Sequence, residues 1–193
     1  MISNGIEIKN IFPVNIYYNQ VTNYKELNKK LKNYTYELRK KNLKGIKRSN
    51  LNGWHSPDLN HNDETVMIFK EMLKYYTFDY IKIAKYNMKS IQIRNIWINI
   101  NTKKSVNLNH IHPGAFISGV YYVNTNKESG YLEFYNPNSL ILMNEKYAKL
   151  RYAKFKPSTG IIILFPSHIY HKVASNNNLL KDDRISISFN ISI

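Results

Sequence analysis

The chain has 193 residues, a formal net charge of +15, 43% hydrophobic and 13% aromatic residues, and no cysteine. Such a composition excludes a disordered chain, which lacks the apolar surface to offset its ordering entropy. The absence of cysteine excludes a disulfide framework and any thiolate metal site. The length suits one domain, 1–193, with a supporting region, 1–89, and a core region, 90–193. Residues 1–7 lack a basic segment followed by an apolar core, so no secretory signal is expected. No apolar run approaches the roughly 18 residues that span a bilayer. The expectation is a soluble cytoplasmic protein with no membrane partner. The positive charge is spread along the chain and is denser from Lys25 to Arg48. Basicity alone supports only non-specific attraction to polyanions, so nucleic acid is not the favoured partner. A homodimer is compatible with the sequence.

Residues 8–18 read as an edge strand limited by Pro13, because proline cannot donate to a ladder. Thr22, Asn23 and Tyr24 offer a helix start. From 24 to 41, Tyr24, Leu27, Leu31, Tyr34 and Leu38 recur every three or four residues, which predicts an amphipathic helix with a lysine-rich outer face. Residues 44–62 are rich in turn formers and read as loop. There Trp54 and His55 either touch a substrate or, for Trp54, pin the loop to the core. A second helix is expected over 61–87, capped by Asp63 or Thr65. Val66, Phe69, Met72, Leu73, Tyr76, Tyr80, Ile83 and Ala84 form its stripe; Ile68, Phe78 and Ile81 broaden the apolar surface. The pattern places this helix along a sheet.

From residue 90 short β-rich runs alternate with turns: 91–101, 106–112, 116–124, 130–135, 150–156, 160–165, 168–174 and 184–193. Turn formers separate them at Pro113-Gly114, at Asn136-Pro137-Asn138, from Pro157 to Gly160, and from Asn176 to Asn178. About eight short strands in ~100 residues predict a sandwich or barrel. The expected fold is mainly β with a helical buttress: a double-stranded β-helix, or jelly roll, with two N-terminal helices packed on one sheet.

His110 and His112 stand two apart in a strand-like run, so their side chains share a face. Two imidazoles on one face can reach a single metal ion. His168 and His171 stand three apart and face opposite sides of a strand, so only one can join them. His171 leads into Val173 and Ser175, which point inward with it. His171 is therefore the expected third histidine, and His168 an outward or rim residue.

The run 184–193 alternates strictly. Ile185, Ile187, Phe189, Ile191 and Ile193 share one face; Arg184, Ser186, Ser188, Asn190 and Ser192 share the other. Two helices need an apolar sheet surface, which turns the polar face toward a ligand cavity. Arg184 is then a buried cation in need of a carboxylate, supplied by Asp182, Asp183 or a ligand.

Taken with the segments around Trp97-Ile98-Asn99, His110-Ile111-His112-Pro113, Ser118 to Val123, Gly130 to Phe134, Leu164 to His171 and Arg184 to Asn190, the chain resembles the Fe(II)/2-oxoglutarate-dependent oxygenases. Within them it is most similar to a family known from bacteria and phages. Phe12-Pro13 and the loop Gly53-Trp54-His55-Ser56 fit the same pattern. The resemblance implies Fe(II), 2-oxoglutarate and the cosubstrate O₂. It implies iron ligation by His110 and His171, and binding of the distal 2-oxoglutarate carboxylate by Arg184 with help from Ser186. Asn99, Tyr122 and Asn190 become candidates for further contacts to the cosubstrate or the pocket wall. His112 occupies the place where most of the superfamily has an acid. Either three imidazoles hold the ion, or Glu133 supplies a carboxylate from a neighbouring strand. The implied activity is a dioxygenase that hydroxylates an unactivated C–H of an amino acid, a peptide or another small polar substrate. Two other classes compete with it. One is a cupin-like metal protein, a dioxygenase or isomerase working without 2-oxoglutarate, against which Arg184 and Ser186 argue. The other is a non-catalytic binding module.

Overall fold

The computed structural model describes residues 10–138, 143, 146, 151–176 and 183–193. Residues 8, 9, 150, 177, 178 and 182, which figure in the expectations above, lie outside the described residues. Two sheets face each other. The larger has six strands: β1 (Tyr17–Gln20), β9 (Ile161–Pro166), β6 (Ile117–Asn124), β11 (Arg184–Ser192), β4 (Gln92–Asn101) and β3 (Trp54–His55), in that order across the sheet. The smaller has five: β2 (Asn50–Leu51), β5 (Val106–His110), β10 (His171–Val173), β7 (Leu132–Tyr135) and β8 (Tyr152–Phe155). Every described pairing is antiparallel. This is the expected jelly roll.

Both helices lie on the outer face of the larger sheet. α1 (Tyr24–Lys41) and α2 (Glu64–Ile83) bury Leu31, Val66, Phe69, Leu73, Tyr76 and Tyr80 against Ile96, Ile98, Ile100, Ile185, Ile187, Phe189 and Ile191. The apolar rows of β4 and β11 thus serve the helices, and their polar rows turn to the space between the sheets. A second apolar cluster there joins Val120, Tyr122, Leu132, Phe134, Ile163 and Phe165. Among the described residues no helix is long and apolar enough to cross a membrane.

Several local expectations change. Among the described residues of the expected first strand, Tyr17–Gln20 finds a partner, in β9, and residues 10–16 are not in a strand. The 44–62 loop contains two short strands, β2 and β3, recruited by the edges of β5 and β4. Their two-residue lengths carry no readable alternation. Trp54 does pin this loop: it is buried, and its indole N–H donates to the Asn42 carbonyl at 2.8 Å. Asn23 starts α1 from a left-handed conformation, φ 52°, with no side-chain cap. Asp63 caps α2, accepting from the Thr65 and Val66 backbone N–H groups. Ile81 is buried whereas Ile83 is exposed. The stripe expected from spacing includes Ile83 and leaves Ile81 off it; the sheet covers the side of Ile81 instead.

Gly119 sits where β6 passes between Phe189 and Leu164. A Cβ there would meet Phe189 Cζ at 2.5 Å and Leu164 Cδ2 at 2.8 Å. Both atoms belong to packed core side chains, so neither yields freely. Gly119→Ala is expected to cost about 1–3 kcal/mol, read as a lower denaturant midpoint at unchanged slope.

Candidate metal centre and cosubstrate pocket

A cavity of about 530 Å³ opens between the sheets, and His110, His112, His171, Arg184 and Ser186 all line it. Strand register builds the histidine cluster. His171 of β10 lies directly opposite His110 of β5, and their ring centroids are 4.4 Å apart. His112 follows the end of β5, in the turn before Gly114, and its ring centroid lies 5.0 Å from each of the other two. The backbone N–H of His112 donates to the Ser167 carbonyl, which fixes the turn. The ligand atoms of the three rings all lie within 4.8 Å of one another, close enough to hold one metal ion. His168 is exposed and lies outside the cluster.

Two of these rings are oriented from behind. His110 Nδ1 lies 2.7 Å from the Leu108 carbonyl, and His171 Nδ1 lies 2.9 Å from the Ile169 carbonyl. A carbonyl only accepts, so each Nδ1 carries the proton and each Nε2 keeps its lone pair for a metal. Burial pushes the His171 pKa down to about 3, and the proximity of His110 lowers it further. Burial and then His110 lower that of His112 to about 4. Burial also lowers that of His110 itself. All three are neutral at pH 7, the form that ligates. Their folded-state pKa values lie below the ordinary histidine value near 6.5, so the folded state binds fewer protons than the unfolded one. The metal-free protein is therefore expected to be most stable above about pH 6.5 and to lose stability as pH falls toward 4. Denaturant titrations across that range check this; a midpoint independent of pH would contradict it.

The polar row of β11 forms the rest of the wall. Ser186 lies between Asn99 of β4 and Tyr122 of β6; Asn190 lies between Asn95 and Ser118. The register thus assembles every residue expected to contact the cosubstrate. Arg184 is 1% exposed, and its guanidinium donates to Asn101 Oδ1 and Ser186 Oγ, both at 3.1 Å. Its carbon lies 5.1 Å from the Tyr122 ring centroid. No carboxylate meets it among the described residues. Asp183 instead binds Arg39 at 3.5 Å and accepts from the Tyr36 hydroxyl. Asn99 Oδ1 is buried without a hydrogen-bond partner among the described residues, and the Tyr122 hydroxyl and Arg184 Nε have no partner there beyond each other's side chains. Uncompensated buried polar groups of this kind are costly unless a ligand completes them. A small dicarboxylate fits this wall.

Glu133 takes no part in the cluster. It points to the other face of β7, where it binds Lys172 at 3.2 Å and Lys154 at 3.4 Å. Strand alternation decides this, since its neighbour Leu132 lines the cavity. Among the described residues no carboxylate completes the metal cluster. The cavity also takes in Arg48, Asp58, Asn95 and Trp97, none of which had been assigned a role. For Asn95 and Trp97 the signal was present: they share the β4 face of Asn99. Arg48 and Asp58 sit in irregular backbone, where no periodicity reveals facing.

Residues 95–190 match a family model described as "Putative 2OG-Fe(II) oxygenase". Residues 95–190 belong to this family of 2OG-Fe(II) oxygenases. The match starts in β4 and ends in β11, so it spans all three histidines, Arg184 and Ser186. Fe(II) and 2-oxoglutarate are accordingly the cofactors of the oxygenase. Its fold is shared with a Pseudomonas putida prolyl-4-hydroxylase at 10% identity and a TM-score of 0.67, covering 92% of each chain. It is shared also with a Trichoplax adhaerens prolyl hydroxylase solved with a hypoxia inducible factor peptide fragment, at 12% identity and a TM-score of 0.65, covering 92% of the oxygenase and 83% of that chain. A third likeness is to SnoN, a non-heme alpha ketoglutarate dependent epimerase from nogalamycin biosynthesis. The identity is 11% and the TM-score 0.65, over 91% of the oxygenase and 76% of that chain. At such identities the likeness is one of fold. No curated protein matches the sequence.

Proposed function

We propose that the protein is a hydroxylase in which His110, His112 and His171 hold Fe(II) and Arg184 and Ser186 hold the distal carboxylate of 2-oxoglutarate. The observation that carries this reading is the fully buried guanidinium of Arg184, which meets no carboxylate among the described residues, in the same cavity as three neutral imidazoles. Asn99, Tyr122 and Asn190 complete the pocket wall around the cosubstrate. The substrate is an amino acid, a peptide or another small polar molecule.

When bound, Fe(II) with 2-oxoglutarate supplies the oxidation: O₂ is consumed, 2-oxoglutarate gives succinate and CO₂, and one oxygen atom enters a substrate C–H bond. The residues of this chain do the rest. Backbone carbonyls of Leu108 and Ile169 keep two imidazoles in the ligating tautomer. Arg184 sets the direction of the dicarboxylate through a charge-assisted hydrogen bond. Val120, Leu132 and Phe165 supply an apolar lining that keeps the site dry. Three imidazoles add no negative charge, so the cosubstrate brings the counter-charge that an acid supplies elsewhere in the superfamily.

Anaerobic addition of Fe(II) and 2-oxoglutarate is expected to give a weak visible charge-transfer band. A folded protein without that band would sink the oxygenase assignment of this site.

A further inference from the structure

Arg48 and Asp58 bear opposite charges and line the same cavity. The Arg48 guanidinium has no hydrogen bond or ion pair among the described residues. Asp58 accepts from the Ile96 backbone N–H at 2.7 Å and from Asn95 Nδ2 at 2.9 Å, both neutral donors. Its nearest basic side chain is the His61 imidazole, at 4.0 Å. Arg48 and Asp58 do not pair with each other. The two hydrogen bonds hold the Asp58 carboxylate in place, and no cationic Lys or Arg pairs with it among the described residues. A carboxylate has about four lone-pair sites, so capacity remains for another donor.

His55 lines the same cavity. It is 7% exposed, and its Nδ1 lies 2.6 Å from the Ser56 carbonyl, so Nδ1 carries the proton. Nε2 then keeps its lone pair and has no partner among the described residues, while the ring lines the cavity. The ring stacks on Trp97 at 5.8 Å with an interplanar angle of 5°, and Trp97 in turn lies 5.6 Å from the His112 ring. These ring contacts link His55 through Trp97 to the metal cluster. None of these four residues is used in the reading of the cosubstrate site.

We infer that the substrate is a small zwitterion, an amino acid with its carboxylate on Arg48 and its ammonium on Asp58, laid along Trp97 and donating a hydrogen bond to His55 Nε2. This inference rests on the oxygenase reading and specifies its substrate. Both side chains are exposed where they line the cavity, so water solvates either charge alone, and a ligand that carries both signs is the one that engages both at once. The high positive charge of the chain does not decide the matter, because it attracts any anion without orienting it.

The test uses the full chain loaded anaerobically with Fe(II) and 2-oxoglutarate. The twenty proteinogenic L-amino acids, β-alanine and γ-aminobutyrate are added singly, with acetate and methylammonium as single-charge controls. Binding is read by calorimetry and by a shift of the charge-transfer band. One or a few of the amino acids are expected to bind and shift the band, and the controls are not. Arg48→Ala and Asp58→Asn are each expected to weaken that binding about tenfold or more, with the band before addition preserved. His55→Phe keeps the stacking ring and loses the acceptor, and is expected to weaken binding of the same amino acid. A protein that shows the band but binds no amino acid overturns the zwitterion inference and leaves the oxygenase reading standing. Binding that survives Arg48→Ala and Asp58→Asn overturns the assignment of these residues. A folded protein without the band overturns both readings together.

Discussion

Arg184→Ala is expected to abolish 2-oxoglutarate binding and leave metal binding unchanged. The residue is 1% exposed, and its hydrogen-bond acceptors Asn101 Oδ1 and Ser186 Oγ are neutral. A carboxylate arriving there gains charge-assisted hydrogen bonds in a dry wall, each contributing ~1.5–3 kcal/mol. Losing them weakens the cosubstrate by about 100-fold or more. Anaerobic titration with 2-oxoglutarate, following the visible band, measures this, and a metal titration of the same variant supplies the control. Survival of both would show that Arg184 does not hold the cosubstrate. Stability moves the other way. A buried cation without a counter-charge costs desolvation free energy, so Arg184→Met, which keeps the volume, is expected to hold or raise the stability of the ligand-free protein by up to about 3 kcal/mol. Thermal unfolding without cosubstrate reads that change.

His171→Ala is expected to lower metal affinity by more than about 100-fold, whereas His168→Ala leaves it unchanged. Loss of a partner behind a metal ligand alone costs about 10–100-fold, and removal of a ligand costs more. The two histidines stand three apart in sequence, yet one is buried opposite His110 and the other is exposed. Equal effects of the two substitutions would mean that the wrong histidine was assigned. His112 is the position that discriminates between ligand sets. Its ring centroid lies 5.0 Å from both partners. His112→Ala is expected to weaken the metal strongly. His112→Asp is expected to retain it, because a carboxylate also ligates Fe(II) and brings a negative charge. An unchanged affinity in His112→Ala would show that the ion rests on two histidines.

Much of this was legible in the chain. The period-2 alternation of 184–193 told which row would meet the helices and which would face a cavity, because strand side chains alternate faces wherever the strand lies. The 3.6-residue stripe of α2 told that it would lie on a sheet. The spacing of His168 and His171 showed that only one of them could join His110 and His112, and the strand that follows His171 pointed to it. These features are local: a residue's facing follows from its neighbours in sequence. Pairing across the sheets is not local. Only the β5–β10 register places His171 against His110, and only the β4–β11–β6 register sets Ser186 between Asn99 and Tyr122. Glu133 shows the limit. Its sequence position allowed a ligand, and its strand phase turned it to Lys172 and Lys154 instead. The loop carrying Arg48, His55 and Asp58 has no period to read, so its approach to the cavity is fixed by docking on the edges of β4 and β5. The sequence by itself determined which residue types and faces were available for metal and dicarboxylate. The tertiary structure decided which of them meet, because long-range pairing depends on burial and ladder geometry summed over the whole sheet rather than on any one segment.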